Sequence, residues 1–309
     1  MKAPRRILAI LDADGDNQQL IERAARLARC YRARLSLFTS CYSSYLADAG
    51  AELAAAARAV GDAATGAAQQ ALEAEAGRLR NSGLRVDGRA VWDRSRHGSA
   101  LAEAARTQAD LLVKGTRYHS ARARASITHA DWNLVRETRV PLWLVKAGEL
   151  PVERARIVAS VDLAADGAAD ERIVRTAKEI ARALHAVLYV FHAFDPLPAI
   201  GDAAIRAIKS QRLPIEAIRE NLRAVRAEAL AALAGRHGVE PPQRLLKSGP
   251  VAELLPGIAT ELGASLVVCG VNGGRDGRGG GIGSTVEAVL DHVPCDMLVV
   301  PTAGDGDGP

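Results

Sequence analysis

The stretch RILAILD at residues 6–12 returns as RIVASVD at residues 156–162, and this repeat decides the fold. Each copy is a short apolar run that follows an arginine and ends on an aspartate. Two further pairs recur in the same order: ADLLVKG at 109–115 with ASLVVCG at 264–270, and VPLWLV at 140–145 with VPCDML at 293–298. A repeat of this length indicates a duplicated domain, because each unit is large enough to bury its own core.

Apolar runs of about five residues alternate with helical patterns in each unit, which predicts a parallel sheet covered by helices on both faces. The predicted strands are 7–11, 35–40, 86–91, 111–114 and 142–146 in the first unit, and 156–161, 186–193, 243–247, 266–269 and 296–300 in the second. One apolar stripe marks the first helix of the second unit: Ile173, Ala177, Ile180, Ala181 and Leu184. We therefore expect an α/β fold of two tandem domains, each an open five-stranded parallel sheet.

The domain boundary is predicted near the stretch AGELP at 147–151, whose glycine and proline are typical of a linker. The first domain then spans residues 1–149 and the second spans residues 150–303. The remaining residues, 304–309, are acidic and rich in glycine, and we expect them to be disordered.

The composition narrows the classes of function. The 309 residues are 48% hydrophobic and 25% charged, as in ordinary globular proteins. A net charge of +4 with only 4% aromatic residues argues against a nucleic-acid partner. The apolar run near the N-terminus mimics a signal peptide, but Asp12 and Asp14 cut it short, and no other run approaches the length of a membrane span. We therefore expect a cytoplasmic protein without nucleic-acid or membrane partners.

The cysteines and histidines form no pattern of a metal site or a disulfide framework. The four cysteines include no C-x-x-C pair, and the seven histidines include no H-E-x-x-H motif. We expect reduced thiols and no metal-ligating residues.

A glycine-rich stretch follows the fourth predicted strand of the second unit. It reads GVNG at 270–273, then nine residues, then Gly283, Ser284 and Thr285 at the predicted start of a helix, in the pattern G-x-x-G-x9-G-S. Glycines let the backbone approach a ligand, and the free N–H groups of a helix start attract an anion, so the stretch predicts a phosphate site. No lysine follows Gly283, which excludes a Walker loop, and the spacing differs from G-x-G-x-x-G.

The same stretch also has a purely structural interpretation. Ser284 and Glu287 form an S-x-x-E capping box, which stabilises a helix start without any ligand. Residues 275–281 are equally compatible with a surface loop in which glycine is merely permitted. Spacing identifies no nucleophile elbow and no Ser/His/Asp set, so we predict no catalytic residues.

The tandem repeat and the glycine pattern together resemble the universal stress protein family over nearly the whole chain. The stretches THADWNLV at 128–135 and VPLWLV at 140–145 are similar to the long, two-domain type of that family. The resemblance implies a stress-response binding module rather than an enzyme. Its implied ligand is ATP or a related adenine nucleotide, with Mg²⁺ as a candidate companion of the phosphates.

The resemblance also implies the residues of the site. Asp162 at the end of the first strand, and the backbone of Ala193 after the second-strand histidine, would hold the adenine. Cys269 would line the pocket. Ribose and phosphates would be held by Gly270, Gly273, Gly283, Ser284 and Thr285.

The first unit has lost part of this pattern. Counting back from the proline shared by the fifth strands aligns Asp131 with Ser284, and Tyr118 replaces the second glycine. A carboxylate at a helix start caps the free N–H groups and repels a phosphate. We also expect Lys114 to pair with Asp12 and to occupy the place in the first unit where an adenine would lie. The first unit is therefore predicted not to bind ATP.

Two other functions stay open. A slow ATPase on this scaffold would need a base or a lysine at the γ-phosphate, and no residue has a required position there. A binder of an apolar ligand is suggested by the inserts after the second strands, at 41–57 and 195–213. The resemblance further implies that the fifth strands, at 141–146 and 294–301, face each other within one chain as a pseudo-dimer, while association of two chains into a homodimer is left open.

Overall fold

The computed structural model describes residues 3–13, 15–42, 54–116, 129–146, 155–163, 167–194, 215–271 and 284–302. For residues 129–131, 215, 216, 218, 284 and 285 it describes the backbone alone. The linker, the tail and most of both inserts lie outside these ranges.

The first half alternates strands and helices. Its elements are β1 (Arg6–Leu11), α1 (Gln18–Tyr31), β2 (Arg34–Cys41), α2 (Ala54–Asn81), β3 (Arg85–Trp92), α3 (Arg96–Thr107), β4 (Leu111–Gly115), α4 (His129–Glu137) and β5 (Leu142–Val145).

The second half repeats that order. Its elements are β6 (Arg156–Ser160), α5 (Ala168–Leu184), β7 (Val187–Phe194), α6 (Ile215–Arg236), β8 (Arg244–Ser248), α7 (Val251–Glu261), β9 (Leu266–Val271), α8 (Ser284–Val289) and β10 (Asp296–Pro301). A 3₁₀ turn at Pro241–Gln243 precedes β8. Every predicted strand coincides with an observed one, and their ends differ by at most two residues.

The ten strands form one continuous sheet in the order β3-β2-β1-β4-β5-β10-β9-β6-β7-β8. Within each half all neighbours are parallel, as predicted. The halves meet where β5 runs antiparallel to β10, with Leu144 opposite Met297. The expected two open sheets are therefore two parts of one sheet.

The strand order fixes where a ligand can enter. In the second half the chain leaves β6 toward β7 and β8 on one side, then crosses to β9 and β10 on the other. The connections thus separate between β6 and β9, and in open α/β sheets a crevice forms at the carboxyl ends of the strands at such a point. The first half repeats this arrangement between β1 and β4.

Two apolar clusters cover the two faces of the sheet, and each contains residues of both halves. The stripe predicted for α5 is buried against the sheet along its whole length. None of the described helices is both long enough and apolar enough to cross a membrane.

Candidate functional site

The crevice of the second half brings predicted site residues together at the carboxyl ends of three neighbouring strands. Asp162 follows β6 and is exposed, Ala193 lies near the end of β7 and is half-buried, and Gly270 lies near the end of β9. Because β6 pairs with both β7 and β9, the three residues share one edge of the sheet.

The loop after β6 is held by side chains from two helices. The buried Asp170 of α5 accepts hydrogen bonds from the backbone N–H groups of Asp162 (3.0 Å) and Leu163 (2.9 Å). Leu163 adopts a left-handed conformation (φ 53°), and its carbonyl accepts a bond of 2.6 Å from Arg226 of α6. The loop backbone is therefore fixed, while the Asp162 carboxylate remains exposed to solvent.

Burial shifts the pKa values of two side chains that hold this loop, Asp170 and His192. It raises the pKa of the Asp170 carboxyl, and the two N–H donors oppose that rise. His192 on β7 is 3% exposed, and burial lowers its pKa, which favours the neutral ring. Its Nδ1–H donates to the carbonyl of Val161 at 2.9 Å, which ties β7 to the end of β6.

Gly270 belongs to β9, so the strand continues two residues beyond its predicted end. Gly270 pairs with Val300 of β10. A Cβ atom at this position would lie 2.8 Å from the side chains of both Ile173 and Thr302, well inside van der Waals contact. Close packing against Ile173 of α5 and against Thr302 thus favours glycine here, whether or not a ligand binds.

Cys269 lies in the apolar cluster beneath the crevice. Its side chain is 1% exposed, and burial raises the pKa of the thiol to about 12, so the thiol is protonated and unreactive at neutral pH. Cys269 is therefore not exposed at this edge of the sheet, and its predicted role in lining the pocket stays a prediction.

The first half has an ion pair at the equivalent edge. Lys114 of β4, which corresponds to Cys269, donates from Nζ to the Asp12 carboxylate at 2.8 Å and to the Gly115 carbonyl at 3.2 Å. The predicted pair between Lys114 and Asp12 is confirmed. In the second half Asp162 is exposed at the corresponding place, and no ion pair links its carboxylate to another residue that the structure describes.

The framework around the two aspartates repeats with different side chains. Asn17 takes the place of Asp170, accepting from the N–H of Asp12 (2.9 Å) and donating to its carbonyl (2.8 Å). Thr39 takes the place of His192 and donates to the Leu11 carbonyl at 3.1 Å. The sequence interpretation did not identify Asp170 or Arg226. The sequence does contain a signal for Asp170. Asp170 and Asn17 are polar residues that lie at the same distance before the end of the first helix in their respective halves.

The rest of the predicted phosphate site lies outside the described residues. Gly273 and Gly283 are among those positions, as is Tyr118 of the first half. Ser284 and Thr285 are placed by their backbone in α8, and Asp131 by its backbone in α4. The predicted contrast between the side chains of Asp131 and Ser284 stays a prediction.

A cleft opens in the first half between α1 and α2, on the sheet face opposite α3 and α4, and Asp12, Asn17 and Thr39 at the equivalent edge contribute to its lining. Its volume is about 500 Å³, within the range of small-molecule sites. Leu11, Ile21 and Leu72 contribute apolar surface, and Glu22 and Glu75 contribute carboxylates.

Among the residues that the structure places, no group of three His, Cys, Asp or Glu side chains is arranged to hold a metal ion.

Comparison with known sequences finds one family twice along the chain. The family model described as the universal stress protein family matches residues 4–146 and again residues 153–301. Universal stress protein E of Escherichia coli K12 is 26% identical over 225 residues, which cover 71% of this chain and 69% of that protein. The similarity to the two-domain type, expected from the sequence, is confirmed.

Two solved structures match nearly the whole chain. A functionally unknown protein of Pseudomonas aeruginosa PAO1 is 24% identical, with a TM-score of 0.74 over 97% of this chain and 93% of that one. A universal stress protein of Archaeoglobus fulgidus is 14% identical, with a TM-score of 0.69 over 98% of this chain and 100% of that one. At these identities the two structures establish the tandem fold alone.

Proposed function

The chain belongs to the universal stress protein family, and from that premise we propose that its second half binds ATP or a related adenine nucleotide, as a regulatory module of the cytoplasmic stress response. The first half shares the fold but, in this proposal, binds no nucleotide.

One observation carries the proposal: the equivalent strand ends differ at the buried position beside the aspartate. Lys114 holds Asp12 in an ion pair in the first half, whereas Cys269 leaves Asp162 exposed in the second. An exposed carboxylate at the edge of a crevice can accept a hydrogen bond from the amino group of an adenine. A carboxylate already paired with a buried ammonium group is partly neutralised and has fewer acceptor sites open to a ligand.

The proposed roles are those that the resemblance to the family implies. Asp162 accepts from the adenine amino group, and the backbone of Ala193 pairs with the ring edge. Gly270, Gly273, Gly283, Ser284 and Thr285 surround the ribose and phosphates, and Cys269 lines the pocket. Because the described residues provide no metal cage, Mg²⁺ would be held chiefly by phosphate oxygens and water.

Calorimetry of the full chain with ATP tests this proposal. We expect close to one site per chain. Asp162→Ala should weaken binding by about 10- to 100-fold, the loss of one charge-assisted hydrogen bond. Asp12→Ala is the matched control and should leave the affinity unchanged, with thermal melting to verify its fold. Two sites per chain, or an Asp162→Ala variant with the affinity of the unchanged protein, would contradict the proposal.

The proposal includes no chemical step. Phosphoryl transfer needs a positioned base or cation at the γ-phosphate, and neither the sequence pattern nor the described part of the crevice supplies one. Single-turnover assays with radiolabelled ATP separate this proposal from a slow ATPase. Release of phosphate within one turnover, abolished by Asp162→Ala at saturating ATP, would favour the enzyme.

The cleft between α1 and α2 favours a second candidate function, the binding of an apolar ligand by the first half. Apolar side chains, the carboxylates of Glu22 and Glu75 and the guanidinium group of Arg78 line it, so the ligand would be apolar with a polar end. Native mass spectrometry of the purified chain tests this function. A bound ligand should be lost in Ala71→Trp, which fills the cleft, and retained in Ala74→Trp on the same helix. Retention in both variants would contradict it.

A further inference from the structure

The contact between the two halves is a continuation of the core. β5 and β10 pair through three residues each, and Leu144 and Met297, which are equivalent by the repeat, lie opposite each other. The halves are therefore related by an approximate two-fold axis through this pair. Around an axis of this kind, like halves from two chains could present the same surfaces to one another.

Three hydrogen bonds to one carboxylate make the actual contact asymmetric. Asp296, the first residue of β10, is 3% exposed and accepts from Arg23 of α1, from Trp143 Nε1 (2.7 Å) and from the backbone N–H of Lys146 (3.0 Å). All three donors belong to the first half, and Arg23 is itself 6% exposed. A buried carboxylate of the second half is thus satisfied by the first half.

A second buried charge also crosses the contact. The side chain of Lys146, 4% exposed, donates to the carbonyl of Leu290 at 2.5 Å and to that of Val293. These carbonyls follow α8, where an ammonium group complements the helix dipole. The equivalent position in the second half is Val299, whose side chain has no donor to offer in return.

The repeat shows what each charged residue would meet in a pairing of like halves. Trp143 and Asp296 are equivalent, since each lies two residues after the shared proline. Arg23 and Thr176 are equivalent, since each lies nine residues before the left-handed residue that ends its helix. Two second halves would bury two Asp296 carboxylates with threonine in place of arginine. Two first halves would bury two arginines with tryptophan in place of the carboxylate.

We infer that this contact surface selects its partner: a first half accepts only a second half, and Arg23 and Asp296 are the residues that exclude pairing of like halves. An unpaired buried charge is far more costly than a paired one, so the two like pairings are disfavoured by the same residues that complete the unlike pairing. If two chains associate through this surface, they therefore exchange halves. The inference does not depend on nucleotide binding.

Charge reversal in the full chain tests the inference. Arg23→Asp creates the pair of carboxylates expected for two second halves, and Asp296→Arg creates the pair of cations expected for two first halves. The Arg23→Asp, Asp296→Arg double variant restores opposite charges in reversed order. We expect each single variant to unfold at lower urea concentration and to show a larger radius of gyration by X-ray scattering, and the double variant to recover at least half of both losses.

The control reverses a charge far from the contact. Arg223→Asp alters an exposed pair with Glu220 on α6 and should change neither the urea midpoint nor the radius. If the single variants aggregate, Arg23→Gln and Asp296→Asn replace them. A discrete homodimer of either single variant with the unchanged urea midpoint would overturn the inference, as would a double variant no more stable than the weaker single one.

Discussion

The two halves of the chain share a strand order and a loop framework, yet their equivalent edges differ in what they expose. In the first half Lys114 holds Asp12 at 2.8 Å; in the second Cys269 lies buried and Asp162 is exposed. The supporting contacts are conserved in role although their residues change, with Asn17 and Asp170 fastening the same loop. A duplicated fold can thus keep its scaffold while a buried residue beside the aspartate changes how far that carboxylate is exposed.

The largest effect is expected at the contact between the halves, where equivalent positions have different side chains. Lys146→Met removes both side-chain bonds to the carbonyls of Leu290 and Val293 and leaves those buried acceptors without their donor. We expect the free energy of unfolding to fall by about 2–4 kcal/mol, measured by urea denaturation. Lys247→Met, at an exposed lysine of β8, is the control and should change it by less than about 0.5 kcal/mol. Equal effects of the two variants would show that the buried bonds contribute little.

The second prediction transfers the closed edge of the first half to the second half. Cys269→Lys should let the new ammonium group pair with Asp162, as Lys114 pairs with Asp12, and should weaken ATP binding by about 10- to 100-fold in calorimetry. Cys269→Met controls for the added volume without charge and should weaken binding less.

The reciprocal variant sharpens this second prediction. Lys114→Cys opens the first edge but leaves Tyr118 and Asp131 in place, so the stoichiometry should stay near one nucleotide per chain. A second nucleotide bound by Lys114→Cys would show that the lysine alone closes the first edge.

The smallest effect is expected in the pH dependence of stability, because the second half has a histidine where the first has Thr39. Burial lowers the pKa of His192 from its ordinary value of 6.5. The unfolded chain therefore takes up a proton below pH 6.5 that the folded chain resists, so stability is complete above that pH and is lost as the pH falls toward the folded pKa.

Replacing His192 with threonine, the residue that the first half has at this position, tests the predicted pH dependence. His192→Thr should reduce the loss of stability between neutral and mildly acidic pH, measured as the urea midpoint at each pH. His292→Asn, at an exposed histidine, should leave the pH dependence as it is. A His192→Thr variant that loses stability on acidification as steeply as the unchanged protein would contradict this account.

Most of the fold was predictable because its signals are local. Buried parallel strands appear as short apolar runs, and the repeat marks the first, fourth and fifth strands of both halves. The pair of Lys114 and Asp12 was also predictable, since both residues end strands that the expected topology places side by side. In these cases a local pattern and a common strand order were sufficient.

The contacts that depend on distant residues could not be predicted in this way. Asp296 appeared to be only the first residue of the last strand, and its partner Arg23 lies 273 positions earlier on a helix of the other half. Nor did spacing distinguish the two roles of Gly270, which resembles a ligand-contacting glycine but also lies where a Cβ atom would press against Ile173 and Thr302. Such features become visible only when helices are packed on the sheet.

The antiparallel joint between β5 and β10 also determines which strand edges reach solvent. The residues of both strands are buried throughout, and the described sheet ends at β3 and β8 instead. Two such strands left open would expose unpaired backbone groups beside apolar side chains, a template for aggregation. A dimer of separate domains would uncover these edges on dilution, whereas a tether keeps their effective concentration high at any dilution. Fusion of the two halves thus protects the chain at the low abundance at which separate domains would come apart.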